Sequence, residues 1–349
     1  MKKLLILLFT LCWLCVPALA EEDFLDLTHL KKISDKEIPA LMDELRQSPA
    51  LCTVELRGVE ISYKGMAQLR EALPEVVFHW LVPIGSEVYE SPVQHLVLDG
   101  AAKKAGAKTL QQALRCFTGL EEITMYDYRL STREMESLMA EHPQVKFNWT
   151  IKLNNYLIRT DATAFSTAKG RQDPRYTAKM LDVLKYCPNL LALDVGHNNV
   201  SDLSFVAEYW PNLRRLICID SRKPLKDLTP LTNLHDLEYV ELFMQGITDI
   251  SPLANKTKLK DLNLCYNDVT DLTPLHSCVN LERLWISRNY HLPQSEIDAL
   301  QAALPNLVIE TKTPKSTEAG WREHPRYFIM KESFDTRTYI AFDEVRALP

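Results

Sequence analysis

The sequence has no stretch of about 20 apolar residues of the kind needed to cross a membrane as a helix. Beyond residue 20 it also lacks a CxxC pair, and it has no concentrated stripe of lysine and arginine. Its apolar run at residues 4–16 is too short to span, follows Lys2 and Lys3, and ends at Ala18-Leu19-Ala20. That is the layout of a secretory signal peptide cleaved after Ala20, so a secreted, extracellular or cell-surface protein is expected. Cys12 and Cys15 both follow leucine rather than a small residue, which disfavours lipidation. Losing Lys2 and Lys3 takes the formal charge from −6 to −8, and an acidic chain without a basic stripe argues against nucleic acid. GxSxG, HExxH and phosphate-loop motifs are missing, so no reaction class is indicated. None of the 9 histidines pairs with another at i, i+4, and His142, His291 and His324 read as solvated residues beside prolines or in turns. No metal and no cofactor is expected. Six cysteines remain after cleavage (Cys52, Cys116, Cys187, Cys218, Cys265 and Cys278), an even number that permits disulfides, but their spacing favours free, mostly buried thiols.

What is abundant is repetition. From residue 189 the chain divides into five lines of the form LxxLxL followed by xxN or a substitute, beginning at Leu190, Leu213, Leu237, Leu259 and Leu281. The intervals of 23, 24, 22 and 22 residues are too regular for βα units joined by variable loops. Side chains of a short strand alternate, so Leu259, Leu262 and Leu264 point inward while the residues between them point out. Asn198, Asn267 and Asn289 fall where the chain leaves the strand, placed to bond backbone groups exposed by the bend. Ser221 and Gln245 replace asparagine in two lines, and those corners are expected to be less regular. Each return carries Asp-x-Ser/Thr, as at Asp202, Asp227, Asp249 and Asp271, usually followed by proline, which suits a short 3₁₀ or one-turn helix. These aspartates read as caps rather than calcium ligands.

The stretch LKDLNLCYNDVTDLTPLHSC resembles the internalin-like class of bacterial leucine-rich repeats, and the likeness extends over residues 189–310. The resemblance implies an α/β solenoid: a curved leucine-rich-repeat horseshoe with parallel strands on its concave side and short 3₁₀ or helical segments on its convex side.

The amino-terminal half repeats less visibly. Residues 51–80 align without a gap on 120–149, a constant offset of 69 that matches Ser62 with Ser131, Met66 with Met135, Leu69 with Leu138, and Trp80 with Trp149. Helical spacing after each serine cap predicts true helices there. The strands around Trp80 and Trp149 continue toward turn residues Gly85 and Asn154-Asn155, predicting hairpin extensions. Residues 292–310 repeat the second half of the same unit. The expected organisation is a signal peptide at 1–20, an irregular repeat subdomain at 21–160, a polar linker at 161–176, the regular array at 177–310, and a small carboxy-terminal cap at 311–349. Its apolar and aromatic residues suggest a strand pair or cap over the exposed last repeat.

Function is expected on the outward strand positions, which stack in columns about 4.8 Å apart. Tyr239, Glu241, Phe243, Asp261, Asn263, Tyr266, Trp285 and Arg288 gather there as amphipathic rings with charged neighbours, the composition of an interface hot spot. This predicts a non-catalytic secreted binding protein that recognises a protein, from a host or a cell surface, on its concave face. The alternative is a glycan, a cell-wall polymer or a structural surface role, since stacked aromatics also suit sugar rings. A hydrolase is the remotest reading: Asp194 lies near His197, and Cys265 shares a turn with Asp261 and Asn263, but an open sheet face supplies little enclosure for an activated nucleophile.

Overall fold

The computed structural model describes residues 23–99, 105–168, 175–221 and 223–343, so the expected signal peptide lies outside the described residues. The chain divides into two compact units, residues 1–150 and 151–349.

In the first unit, β1 (Phe24–Asp26), α1 (Ile38–Leu45), β2 (Thr53–Glu55), α2 (Tyr63–Ala72), β3 (Val77–Ile84) and β4 (Glu87–Ser91) follow in order. They build a sheet ordered β1-β2-β3-β4. β1, β2 and β3 are parallel, and the chain reverses through Gly85 so that β4 returns antiparallel to β3. Gly85 takes φ 66°, the left-handed region that glycine enters freely. The pattern restarts with β5 (His95–Val97), α3 (Ala107–Leu114), β6 (Glu122–Met125), α4 (Thr132–Glu141) and β7 (Lys146–Leu153). Here α3, α4 and β7 begin and end 69 residues after α1, α2 and β3. The gapless match of 51–80 on 120–149 is therefore the middle of a longer unit that includes α1 and α3. Those two helices share only the leucines that they bury, Leu41 with Leu110 and Leu45 with Leu114.

The second helix of each unit starts on a serine. Ser62 Oγ accepts the Gly65 amide at 3.0 Å, while Ser131 and Glu134 form a reciprocal capping box. Each helix ends one residue before an X-Pro pair, and here the units differ: Leu73 is replaced by His142. His142 is buried, not solvated as its place beside Pro143 implied, because it fills a leucine's position against the sheet. Its Nε2 has no hydrogen-bond partner among the described residues, and burial pushes its pKa down.

The second unit opens with the end of β7, which turns at Asn154 into β8 (Tyr156–Arg159). There follow β9 (Ala164–Ser166), α5 (Ala178–Leu181), a 3₁₀ turn at Asp182–Tyr186, β10 (Ala192–Asp194), α6 (Ser204–Tyr209), β11 (Arg215–Ile217), β12 (Tyr239–Glu241), β13 (Asp261–Asn263), β14 (Arg283–Trp285), α7 (Gln294–Ala303), β15 (Val308–Glu310) and α8 (Pro325–Thr336). Strands β9 to β15 form one parallel sheet in sequence order. Part of the stretch expected as linker is thus strand, since Ala164–Ser166 pairs in register with Ala192–Asp194; residues 169–174 lie outside the described residues.

The repeat positions explain the stacking. The central strand residues Leu193, Leu216, Val240, Leu262 and Leu284 are all fully buried. At the corner, Asn267 Oδ1 accepts the amides of Gln245 and Ile247 at 3.0 and 3.1 Å, and its Nδ2 donates to the Leu242 and Leu264 carbonyls at 2.9 and 3.0 Å. One side chain thereby ties neighbouring turns. Gln245, with one more methylene, ties its own turns in the same way. It donates to the Cys218 carbonyl at 2.8 Å, accepts the Leu225 amide at 2.9 Å, and also donates to Ser221 at 3.3 Å. Its reach compensates for the short Ser221. On the return side, Asp202, Asp227, Asp249 and Asp271 each accept the amide two residues ahead at 2.8 Å. Three of these turns lead into 3₁₀ helices at Thr229–Leu231, Ser251–Leu253 and Thr273–Ser277.

Replacing His142 by the leucine of its sister unit removes a buried, unpaired ring nitrogen. His142→Leu should raise unfolding free energy by about 1 kcal/mol at neutral pH. The gain should grow as pH falls below the unfolded histidine pKa of about 6.5, where only the unfolded wild type takes up the proton. Urea unfolding of both proteins at two pH values measures it.

Candidate functional site

The strand face expected to be open is covered by the chain's own carboxy-terminal segment. After β15 the chain does not cap the last repeat with a strand pair. It crosses back over the strands through residues 311–324 and lays α8 against them. The inner strand positions are buried as a result: Tyr239 and Asp261 are 0 % exposed, Glu241 2 % and Trp285 3 %.

Each covered residue has a partner in this segment. The Trp285 indole donates to the Glu318 carbonyl at 3.0 Å, and Asn263 donates to the Ser316 carbonyl at 2.7 Å. Trp321 is fully buried with its ring 5.1 Å from Trp285 and 5.5 Å from Tyr239, and its Nε1 donates to Glu241 Oε1 at 3.0 Å. Phe243 packs in the same cluster. The Asp261 carboxylate is held between Arg283 and Arg326, the latter bidentate at 2.6 and 3.0 Å. Arg215 is fully buried beneath Tyr339 and Phe342, its guanidinium 4.3 and 3.8 Å from their ring centres, and donates to Ser333 Oγ at 3.1 Å. Buried charges are tolerable only when paired or hydrogen-bonded; Asp261 has Arg283 from the sheet and Arg326 from the tail, and Arg215 has Ser333 and Ile340 from the tail.

Six of the eight residues singled out by sequence (Tyr239, Glu241, Phe243, Asp261, Asn263 and Trp285) therefore form a buried floor rather than an exposed patch. The expectation failed because it treated strand columns as open to solvent and sent the tail elsewhere. The other two, Tyr266 and Arg288, lie at the border. Tyr266 is half-buried and donates to the Pro314 carbonyl at 3.1 Å, while Arg288 is exposed, 5.7 Å above the Tyr266 ring, with Nη1 3.0 Å from the Tyr290 hydroxyl.

Sequence reasoning missed Arg215, Trp321 and Arg326. A signal existed: charged residues recur at inner strand positions (Arg215, Asp261, Arg283), and the tail carries a tryptophan and arginines in GWREHPRY.

The strand ends lead into a row of corner residues, His197, Asp220, Met244, Tyr266 and Arg288, each with positive φ between 45° and 66°. Their amides extend the ladder, as from Met244 to the Cys265 carbonyl at 3.1 Å and from Tyr266 to the Ser287 carbonyl at 2.8 Å. His197 Nδ1 lies 3.0 Å from Asp220 Oδ2, so the carboxylate paired with this imidazole comes from the next repeat and is not Asp194. Cys265, the one thiol weighed as a nucleophile, is fully buried, and burial pushes it up to about 11, which keeps it protonated rather than activated. All six cysteines among the described residues are free, and five are buried. No group of three or more His, Cys, Asp or Glu side chains able to hold a metal occurs among the described residues, and no helix among them is long and apolar enough to cross a membrane.

Residues 257–302 match the family described as leucine-rich repeats (2 copies). No curated protein matches the chain. Among solved structures, the chain is similar to an internalin C2 of Listeria monocytogenes, with 26% identity, 42% of this chain and 73% of that one covered, and a TM-score of 0.29. A second Listeria monocytogenes internalin shares 18% identity over 89% of this chain and 90% of its own, with a TM-score of 0.37. A leucine-rich-repeat protein of Leptospira interrogans shares 16% identity over 76% and 74%, also with a TM-score of 0.37. Leucine-rich repeats are thus present in the chain, stacked on a parallel sheet.

If the tail is part of the fold, Trp321→Ala should destabilise the protein by about 3–5 kcal/mol, as for other fully buried aromatic truncations. Denaturant unfolding measures the loss; a change below about 1 kcal/mol would mean that the tail is only loosely seated.

Proposed function

We propose that this protein is a non-catalytic, exported recognition scaffold that engages a protein partner along the corner edge of its repeats. One observation carries the reading: five successive corners hold non-glycine residues in left-handed backbone. That conformation costs an L-residue about 1–2 kcal/mol, and glycine would avoid it. Three of the five positions carry long side chains instead, Met244, Tyr266 and Arg288, and Met244 remains 45 % exposed. Strain kept at a surface that gains little packing from it suits a binding role.

The chemistry of the edge agrees. Arg288 bridges Tyr266 and Tyr290, the latter 75 % exposed, so a guanidinium and two phenols stand beside a methionine. Methionine, tyrosine and arginine are enriched at protein interfaces. Tyr266 and Arg288 carry over from the sequence-derived patch. The other six residues would meet a partner only if the tail were displaced, which would cost Asp261 one of its two guanidinium partners and Arg215 its acceptors on Ser333 and Ile340. Export rests on residues 1–20, whose lysines, apolar run and Ala18-Leu19-Ala20 ending support a secreted or cell-surface location.

The test is capture from host and bacterial surface extracts on immobilised protein, beside a variant carrying Met244→Ser, Arg288→Glu and Tyr290→Ser. The expected result is a protein retained by the wild type, at least tenfold weaker on the still-folded variant, and weakened by salt as the Arg288 contact is screened. Equal retention on both would remove the edge as the site. Retention competed away by polysaccharide and indifferent to salt would replace the protein partner with a glycan.

A further inference from the structure

A cavity of about 310 Å³ remains between α8 and the floor of the sheet. Its floor contains two carboxylates in one cross-strand row, Asp194 of β10 and Glu241 of β12, with Ile217 of β11 between them. Asp194 is 8 % exposed and Glu241 2 %. Asp194 is held by Ser166 Oγ at 2.6 Å and by the Gly196 amide at 2.9 Å. Glycine is required at 196, since a Cβ there would stand 2.6 Å from Ile219 Cγ1. Glu241 spends one oxygen on internal structure: Oε1 accepts from Tyr239 and Trp321. Its Oε2 receives no hydrogen bond from the described residues, although the side chain lines the cavity.

Both acids are thus carboxyl groups buried at the floor of the cavity, which His197 and a third acid, Asp335, also line. Burial above all else raises the pKa of each, against smaller opposing effects from their hydrogen bonds. Arg322 and Lys331 also line the cavity, but both are exposed, and Arg322 acts on the two acids only through space. The walls between the acids are apolar: Ile217 and Ile219 from the sheet, Met330 and Phe334 from α8. Two strand steps separate Asp194 from Glu241, roughly 10 Å between their backbones. The volume lies at the small end of ligand pockets, suited to about ten non-hydrogen atoms or fewer.

We propose that this cavity binds a primary alkylammonium group, with its charged end on Glu241 Oε2 and its methylene stem along Ile217 toward Asp194. A linear diamine of about five carbons engages both carboxylates; a monoamine engages Glu241 alone. The ligand completes the pairing that the buried acids lack, and its apolar stem replaces water against the isoleucines and Met330. The site is separate from the edge around Met244 and Arg288 and does not depend on a protein partner there.

Titration calorimetry on the purified protein with 1,5-diaminopentane, pentylamine and pentanol tests the proposal. The expected order is diamine tighter than monoamine by at least tenfold, with the alcohol weaker than either. Asp194→Asn should bring the diamine to the level of the monoamine and leave the monoamine unchanged, whereas Glu241→Gln should abolish both. Because Glu241→Gln also disturbs the contacts with Tyr239 and Trp321, Met330→Phe, which narrows the cavity from the helix side, should abolish binding without touching a carboxylate. A capped peptide with a single lysine separates the two sources of this chemistry: binding at the monoamine level points to a lysine side chain, and its failure beside a bound free amine points to a small amine. Pentanol binding as tightly as pentylamine, amine binding retained in folded Glu241→Gln or Met330→Phe, or no amine bound by the wild type would overturn the proposal. Should the variants not fold, the ranking of diamine, amine and alcohol on the wild type decides it.

Discussion

Asp261 has its carboxylate wholly inside the second unit, where Arg283 reaches it from the neighbouring strand and Arg326 from the carboxy-terminal helix. An isolated carboxylate in such a place would cost several kcal/mol, and its two guanidinium partners turn that penalty into a requirement for one tail position. Much of the strand face follows from this. With Arg326 in place, residues 316–321 pass directly over Trp285 and Asn263, and Trp321 arrives above Tyr239 with its indole nitrogen on Glu241. Further along, the helix end brings Ser333 and Ile340 to Arg215, a second buried charge with its own fixed partners. The face is specific because it is polar; an apolar floor would have accepted a helix in many positions.

A division of labour follows between neighbouring residues of one repeat. The strand positions serve the tail, and the corner positions immediately after them face outward. Tyr266 belongs to both, its ring beneath Arg288 and its hydroxyl on the Pro314 carbonyl. Beside Asp194 the cover leaves a cavity that two of the floor acids line.

The repeats were legible because their cause is local. Leucine spacing, corner asparagines and the Asp-x-Ser/Thr returns act over a few residues, and each appears in the structure as a buried strand centre, a tie between turns or an amide accepted at 2.8 Å. Three features were hidden for physical reasons. Strand β9 is only Ala164–Ser166, too short for alternation to show, and its place comes from pairing with β10. His142 looked solvated beside its proline, yet it occupies the slot of Leu73 in a unit that buries Met135, Leu138 and Trp149 at positions shared with its sister. The fate of Tyr239 and Trp285 depended on contacts to residues tens of positions away, and no periodicity records which surface a distant segment will cover. Charges set among inner strand positions, with the tryptophan and arginines of the tail, were the trace of it.

The order in which the chain leaves the ribosome gives the tail a further significance. Trp321 meets Glu241 across 80 residues of sequence, and Arg215 meets Ser333 and Ile340 across 118 and 125. The repeats stack by contacts between adjacent turns and form early, whereas the closure over them joins the ends of a long loop and comes last. Until then Tyr239, Phe243 and Trp285 stand bare on a row of strands, a surface prone to stick to other chains. For a chain exported as proposed, synthesis and export must both finish before the carboxy-terminal segment can shut the adhesive face.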